Sequence, residues 1–386
     1  MEITELLEIV ARGEDSKHQL KANVTNELSL AQEIVAFSNS GGGALFIGVS
    51  DDGTFSGLGR EDIGRLNNLV SNAASQQVRP PVNPRTEIIF TSDGLVIRIV
   101  VPDGVSKPYM DKDGVIWVKS AGDKRKATAR EEIQRLYQSA GLIHGDQIPV
   151  SGIDIADLDL DYFKEFFVRN FGESLDDQDL PLPVLLENMN LMRDGLFNVN
   201  GALLFAGNPS LRLPVFIVKA IAFPGKEIHT TSYLDSQDIT GKIADVFQQS
   251  MGFVLRNVRH IQRDRGVNAP GEPEIPRIVL EELIANALIH RDYFISAPIK
   301  LFVFSNRVEI QSPGHLPNNL TIENIKLGNS NIRNPILASY ATKILPYRGI
   351  GSGIIRALRE YPDIDLVDDH DGNRFMVTIR RKENET

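Results

Sequence analysis

The sequence predicts an α/β (α+β) protein with an N-terminal mixed domain, a middle α/β segment and a C-terminal α/β sandwich. Two observations predict it. Apolar residues switch along the chain between helical spacing and short continuous runs of strand length. Stretches rich in Gly, Asp and Pro interrupt that pattern at 141–160 and 270–276. The expected organisation is a domain at 1–140, a linker at 141–160, a middle coupling segment at 161–270 and a domain at 271–386.

In the first domain Leu30, Ile34 and Phe37 recur at helical spacing, which predicts a helix over 27–38 with one buried face. Asn39 and Gly41 to Gly43 stop it, reading as a helix end with left-handed glycines. Residues 44–49 read as a short buried strand, and Ser50 to Gly53 turn the chain. A helix at 61–76 follows. Strands at 86–90 and 95–101 are joined by a hairpin turn at Ser92, Asp93 and Gly94. A strand at 115–118 and a helix at 129–138, with Thr128 as N-cap, close the domain.

The middle segment is expected to hold helices near 162–170 and 242–262 and strands at 203–205 and 215–223. The apolar face of 243–255 reads as core, with a dimer interface as its other use. The last third reads as a helix bearing Glu282 and Asn286, strands at 299–304 and 307–311, a glycine cluster and a terminal strand at 374–379. No internal repeat is visible.

Composition sets limits. The 386 residues are 42% hydrophobic and 24% charged, ordinary for a globular protein with several domains. The absence of cysteine excludes disulfides, thiolate metal sites and cysteine nucleophiles. The seven histidines are scattered without paired spacing, so no zinc site is expected. The acidic residues 1–5 lack a signal-peptide pattern and no apolar run reaches membrane-spanning length, so a soluble cytoplasmic protein without membrane contact is expected. The net charge of −10 opposes uniform coating by nucleic acid. Yet Lys119, Lys124, Arg125 and Lys126 fall within eight residues that hold one acid, and Arg130 and Arg135 follow. These cations are candidates for phosphate contact, which would make binding salt-sensitive. Trp117 beside them reads as core rather than as a stacking platform.

Two motifs mark the first domain: Gly13-Glu14-Asp15-Ser16-Lys17-His18-Gln19-Leu20-Lys21, and Asn39-Ser40-Gly41-Gly42 leading to Gly48-Val49-Ser50-Asp51. With the basic run they resemble the Schlafen-type AlbA domain, also called the divergent AAA domain. The resemblance implies nucleic-acid binding, to DNA or RNA, as in bacterial transcription regulators. In Schlafen nucleases three carboxylates cleave RNA with a divalent metal. By that resemblance Glu14 stands at the first acid and Asp51 at the third. The second position is Gln19, whose neutral amide holds a hard cation less well. Binding is therefore expected ahead of cleavage. Glu14 and Asp51 read equally well as turn caps or solvated acids.

The C-terminal chemistry starts from Glu282 and Asn286. Four residues apart, they lie on one helix face. A carboxylate there can orient a water, and an amide oxygen can hold a hard cation beside phosphate. Gly349, Gly351 and Gly353, with Ser352, let backbone N–H groups approach phosphate oxygens. In this order the motifs resemble the GHKL ATPase fold, in its RecG-like C-terminal branch. The resemblance implies ATP and Mg²⁺ as cofactors. Asn286 would then hold Mg²⁺, Glu282 would polarise the attacking water, and Ser312 and Gly314 would read adenine. Gly349, Gly351, Ser352 and Gly353 would bind phosphate, and Arg333 would belong to the lid. Ser312 stands where that family carries an aspartate, so a charge-assisted contact to the base is lost. Hydrolysis is expected less than binding. His290 reads as a helix-end cap.

The function expected is a nucleic-acid-binding regulator, a homo-oligomer whose DNA or RNA binding responds to ATP. The alternatives are a Schlafen-like metal-dependent RNase or DNase, for instance in phage defence, and an oligomeric scaffold.

Overall fold

The structure is a computed structural model that describes residues 1–228, 232–262, 271–317 and 320–382. It is α+β throughout and divides into two compact units, Met1–Ile143 and His144–Thr386.

The first unit runs α1 (Ile3–Arg12), β1 (His18–Lys21), α2 (Glu27–Asn39), β2 (Gly43–Ile47), α3 (Arg60–Asn72), β3 (Val78–Arg79), β4 (Arg85–Thr91), β5 (Gly94–Val101), β6 (Met110–Asp111), β7 (Trp117–Ser120), β8 (Asp123–Lys126) and α4 (Arg130–Ser139). Its main sheet has the order β1-β2-β5-β4. β1 and β2 are parallel, and the other pairs are antiparallel. Parallel neighbours need a crossover, which α2 supplies. Leu30, Ile34 and Phe37 on α2 are buried with Leu45, Ile47, Ile97 and Ile99 of the sheet.

Asn26 caps the start of α2 by accepting from Ser29 N–H at 3.0 Å. At its end Gly41 and Gly42 have φ of 85° and 71°, the left-handed region that favours glycine. Asn39 does more than stop the helix. It is buried, and its amide donates to the carbonyls of Tyr109 and Trp117, both at 2.9 Å. Its side-chain oxygen accepts from Tyr109 N–H at 2.8 Å, so α2 is fastened to β7 and to the residue before β6. The 61–76 helix is α-helical to Asn72 and then widens into a π turn, Ala73–Gln77. Thr128, the N-cap expected from sequence, lies outside α4: Ala129 takes the cap position with no side-chain bond. Glu131 and Glu132 supply negative charge to the first turn instead.

The second unit runs β9 (Pro149–Asp154), α5 (Leu160–Phe171), α6 (Leu182–Asn188), β10 (Met192–Arg193), β11 (Leu196–Asn198), α7 (Val199–Phe205), β12 (Val218–Ala222), β13 (Asp235–Ile239), α8 (Ile243–Asn257), β14 (His260–Ile261), β15 (Glu272–Pro273), α9 (Arg277–His290), β16 (Ile299–Val303), β17 (Arg307–Pro313), α10 (Ile322–Lys326), α11 (Pro335–Ile344), α12 (Gly353–Glu360), β18 (Ile364–Asp369) and β19 (Arg374–Arg380). Six strands form one sheet in the order β13-β12-β16-β17-β19-β18. Only β12 and β16 are parallel in it.

That sheet corrects the expected organisation. β12 and β13 come from the middle segment and extend the sheet of the C-terminal strands, so 161–270 is not a separate body. Residues 141–160 are not a loose linker either. Asp146 in that stretch is fully buried and accepts from the Ile336 and Leu337 N–H groups at 3.0 and 2.9 Å, capping the first turn of α11. β9 pairs with β11. Residues 203–205, expected as a strand, are the end of α7. Asn198 caps that helix by accepting from Gly201 N–H at 2.9 Å. Every residue of α7 is buried, so no polar face betrays its helical period. The 242–262 helix ends earlier, at Asn257. Pro270, the first residue of the second break, lies outside the described residues. Ile243, Val246, Phe247 and Val254 of α8 are buried in the core with Leu280, Leu283 and Ile284 of α9, which gives the apolar face of 243–255 its core role.

Candidate functional site

A cleft in the second unit lies among α9, α12, β17 and the segments 329–331 and 347–353. Its volume is about 130 Å³, below the ~300–1,000 Å³ of ordinary small-molecule sites. Glu282 and Asn286 both line it, as their helical spacing requires. The glycine segment lies directly over them. A Cβ on Gly353 would collide with Glu282 Oε2 and stand 3.3 Å from Asn286 Nδ2. Gly349 and Gly351 have φ of 70° and 72°, and Gly351 abuts the carbonyl of Gly328, leaving no room for a side chain. Ser352 forms the N-cap of α12, so the positive end of that helix opens at the glycine segment.

Glu282 is buried and ion-paired with Arg356 of α12. Burial pushes its carboxyl up from the ordinary value, while the charges of Arg356 and Arg348 pull the other way. Both arginines line the cleft. Asn286 contrasts with Glu282: its amide makes no hydrogen bond with another described residue. His290 bonds the Tyr347 hydroxyl at 3.0 Å, and burial holds its pKa at about 4. It is a neutral packing partner rather than a charged helix cap.

Ser312 is buried on the β17 side of the cleft, and its hydroxyl donates to the Ala287 carbonyl at 3.2 Å. Its oxygen therefore has lone pairs left to accept. Gly314, with φ 96°, also lines the cleft; the space for a Cβ is taken by Arg333 and Asp292. Arg333 itself differs from expectation. It does not line the cleft. Its guanidinium is buried, donates to the His315 carbonyl at 2.6 Å and stands 4.0 Å from Asp292. It anchors the loop after β17 instead of reaching for phosphate. From the segment expected as a lid, Asn329, Ser330 and Asn331 line the cleft.

Sequence reasoning missed Arg348, Arg356 and Tyr347. Arg348 directly precedes Gly349, and Arg356 lies three residues after Gly353, on the first turns of α12. Both placements were readable once a helix is started at the glycine segment.

The first unit brings Glu14 and Gln19 together but fills the space around them. Gln19, buried, donates to Glu14 Oε1 at 2.5 Å, and Leu20 N–H donates to the same oxygen at 2.9 Å. Lys119 Nζ donates to Gln19 Oε1 at 2.5 Å and to the Gly122 carbonyl at 2.6 Å. Its side chain is 1% exposed, and burial lowers its pKa, opposed by the charges of Glu33 and Glu14. Asp51 sits exposed on the turn after β2, with no hydrogen bond or ion pair to Glu14 or Gln19.

Two cations of the basic run, Lys119 and Lys124, are thus turned inward. Lys119 and Lys124 lie 3.8 and 2.7 Å from the buried Glu33, and Arg125 pairs with Glu132 at 2.6 Å. Lys126 is exposed, 5.6 Å over the Trp117 ring, whose Nε1 donates to Asp111 at 2.7 Å. Arg130 is 91% exposed, and Arg135 is exposed as well.

Among the described residues no helix is long and apolar enough to cross a membrane. Residues 14–128 match the family model described as "Schlafen, AlbA_2", and residues 296–379 match the one described as "Putative ATP-dependent DNA helicase recG C-terminal". One stretch of the chain is thus similar to Schlafen AlbA_2 domains and another to the RecG C-terminal family. No curated protein matches the chain. Among solved structures it is similar to the DIP2311 protein from Corynebacterium diphtheriae, at 20% identity and a TM-score of 0.47, over 99% of this chain and 80% of that one. It is also similar to the N-terminal domain of an ATP-dependent DNA helicase RecG-related protein from Nitrosomonas europaea. That match has 18% identity and a TM-score of 0.26, over 34% of this chain and 96% of the other.

Proposed function

We propose that the second unit binds ATP with Mg²⁺ in the α9–α12 cleft, that the first unit binds DNA or RNA, and that nucleotide occupancy changes that affinity. One observation carries the nucleotide reading: the unengaged amide of Asn286 and the carboxylate of Glu282 face the start of α12 across a single cleft. The residues fit the cofactor. An amide oxygen with phosphate oxygens and water makes the oxygen-only shell Mg²⁺ prefers. Mg²⁺, when bound, would neutralise phosphate charge. The N–H groups at Gly353 and beyond would receive phosphate oxygens, with Arg348 adding charge. Ser312, its proton committed to Ala287, would accept from an exocyclic amine of the base.

The cleft is too small for a nucleoside triphosphate as it stands. A bound triphosphate would part segments 329–331 and 349–353, which line the cleft, and loosen the Arg356–Glu282 pair. Freed from Arg356, Glu282 could polarise a water; held by it, Glu282 is a poor base. Two conformations with different nucleotide affinity are also what coupling to a second ligand requires.

Within the basic run and the helix after it, nucleic-acid contact falls to Lys126, Arg130 and Arg135, since Lys119, Lys124 and Arg125 are ion-paired with Glu33 and Glu132. The test is nucleotide titration of the full chain. Asn286→Ala should weaken ATP·Mg²⁺ binding by about tenfold or more, ~1.4 kcal/mol, with less effect when Mg²⁺ is withheld. Equal affinity of wild type and variant in Mg²⁺ would remove the assignment. Anisotropy of labelled DNA and RNA with and without ATP then tests the coupling, and superimposable curves would reject it.

A further inference from the structure

We propose that His315, Asp368 and His370 form a binding site for a divalent d-block cation of the zinc type. One ligand atom from each lies within 4.8 Å of the other two. The sequence hides the set, because His315 and His370 are 55 positions apart. The sheet assembles it. β17 and β18 both pair with β19, with Pro313 and Asp369 each opposite Arg374. The strand ends are stitched together where Gly314 N–H donates to the Asn373 carbonyl at 2.9 Å. His315 leaves the end of β17. Asp368 is the last residue but one of β18, and His370 is the first residue of the turn that follows it.

The ligands are prepared for a metal. His315 Nδ1 bonds the Leu316 carbonyl at 2.9 Å, which fixes the proton on Nδ1 and leaves Nε2 as a lone-pair donor. Asp368 Oδ1 accepts from Leu316 N–H at 2.8 Å, leaving Oδ2 for the cation. His370 Nε2 lies 2.9 Å from that Oδ2. The two imidazole rings are tilted by 33° with their centroids 4.5 Å apart.

A tetrahedral zinc with bonds of ~2.0–2.2 Å needs these atoms drawn inward by small side-chain rotations. To bind through Nε2, His370 would carry its ring proton on Nδ1, and the Nε2–Asp368 contact would give way to a shared cation. Two nitrogens and one oxygen suit zinc, cobalt or nickel and disfavour Mg²⁺, which seeks oxygen alone. Arg333, bonded to the His315 carbonyl, opposes a cation here; Asp292 and Asp368 offset it. With three protein ligands, a fourth position is left for water. His315 also lines the cleft, so the bound cation would clamp the loop after Gly314 to the β18–β19 turn at the edge of that cleft.

The test is metal uptake by the full chain after chelator treatment, with Zn²⁺ in competition with a chromophoric chelator and Co²⁺ as spectroscopic probe. One equivalent should bind, raise the melting temperature, and give Co²⁺ the intense visible bands of a four-coordinate site. His370→Ala should weaken Zn²⁺ binding by at least ~10-fold, as should His315→Ala. His260→Ala, an exposed histidine elsewhere, should leave it unchanged. Circular dichroism confirms that each variant is folded. Absence of uptake, or uptake that survives both His370→Ala and His315→Ala, overturns the site. Neither result bears on ATP binding, which is read with Mg²⁺ and Asn286→Ala.

Discussion

Each unit holds a carboxylate beside an amide, and the two are used in opposite ways. In the first unit Gln19 donates to Glu14 and accepts from Lys119, whose ammonium is buried among Gln19, Gly122 and Glu33. The protein supplies its own cation, and the donors and acceptors around Gln19 are matched internally. In the second unit Glu282 has a partner but Asn286 has none among the described residues, and a cleft lies in front of both. A polar cluster filled from within stabilises a fold. One with an unengaged amide, a helix N-terminus and a void is arranged for something the chain does not contain.

The largest test of this contrast is Lys119→Met. It removes the internal cation and leaves the Gln19 oxygen unpaired and Glu33 with Lys124 alone. Breaking a buried pair by removing one partner costs roughly 3–5 kcal/mol. The first unit should unfold at distinctly lower urea concentration, followed by tryptophan fluorescence from Trp117, the chain's one tryptophan. Loss of less than about 1 kcal/mol would mean the cluster is solvated and the contrast is false. Asn286→Ala, by comparison, should leave unfolding nearly unchanged.

Next comes pH. His290 is held neutral at about 4 by burial, below its ordinary 6.5. An unfolded chain takes up that proton first as pH falls, so the stability tied to neutral His290 is complete above ~6.5 and lost between ~6.5 and 4. The whole shift corresponds to roughly 3 kcal/mol. The stability difference between wild type and His290→Gln, measured at pH 7 and pH 4, should narrow or reverse by about that amount. A constant difference would show that His290 is solvated in the folded state, and the wall of the cleft at Tyr347 would need redrawing.

Smaller again is Gly351→Ala. The left-handed φ of 72° and the contact with the Gly328 carbonyl leave no place for a methyl group. Strain of this kind costs about 1–3 kcal/mol, and it falls on the conformation in which the glycine segment meets the lid. If the segment is the phosphate site, ATP affinity should change by about tenfold while the first unit's unfolding stays fixed. An unchanged isotherm would detach the glycine segment from the ligand.

How far the sequence reveals such sites depends on how local they are. Glu282 and Asn286 are legible because one helical turn places both, and the glycines because positive φ is a property of single residues. The sheet order that joins β12 to β16 is not legible, since it depends on pairing across 81 positions of chain from Val218 to Ile299. The same holds for Arg333, which looks like a lid cation until Gly314 and Asp292 are seen to enclose it. The basic run misleads for a related reason. Its cations look free in sequence, while Glu33, which neutralises two of them, lies on α2 far upstream. His315, Asp368 and His370 meet only through the register of three strands.

The finest distinction concerns Gln19. If the first unit is a nuclease lacking one acid, Gln19→Glu should restore metal-dependent cleavage. The geometry argues otherwise. Lys119 Nζ lies 2.5 Å from the Gln19 oxygen and within 3.8 Å of Glu33, so a new carboxylate would gain an ammonium partner already in place. A divalent cation entering there would have to displace a buried lysine whose alternative is exposure of its charge without its partners. Gln19→Glu should therefore strengthen the bond to Lys119, repel Glu14 and leave RNA, single-stranded DNA and duplex DNA intact in Mn²⁺. Cleavage by this single variant, abolished again by Glu14→Ala, would show that Lys119 yields to metal. The two carboxylate–amide pairs would then be two ligand sites rather than one site and one brace.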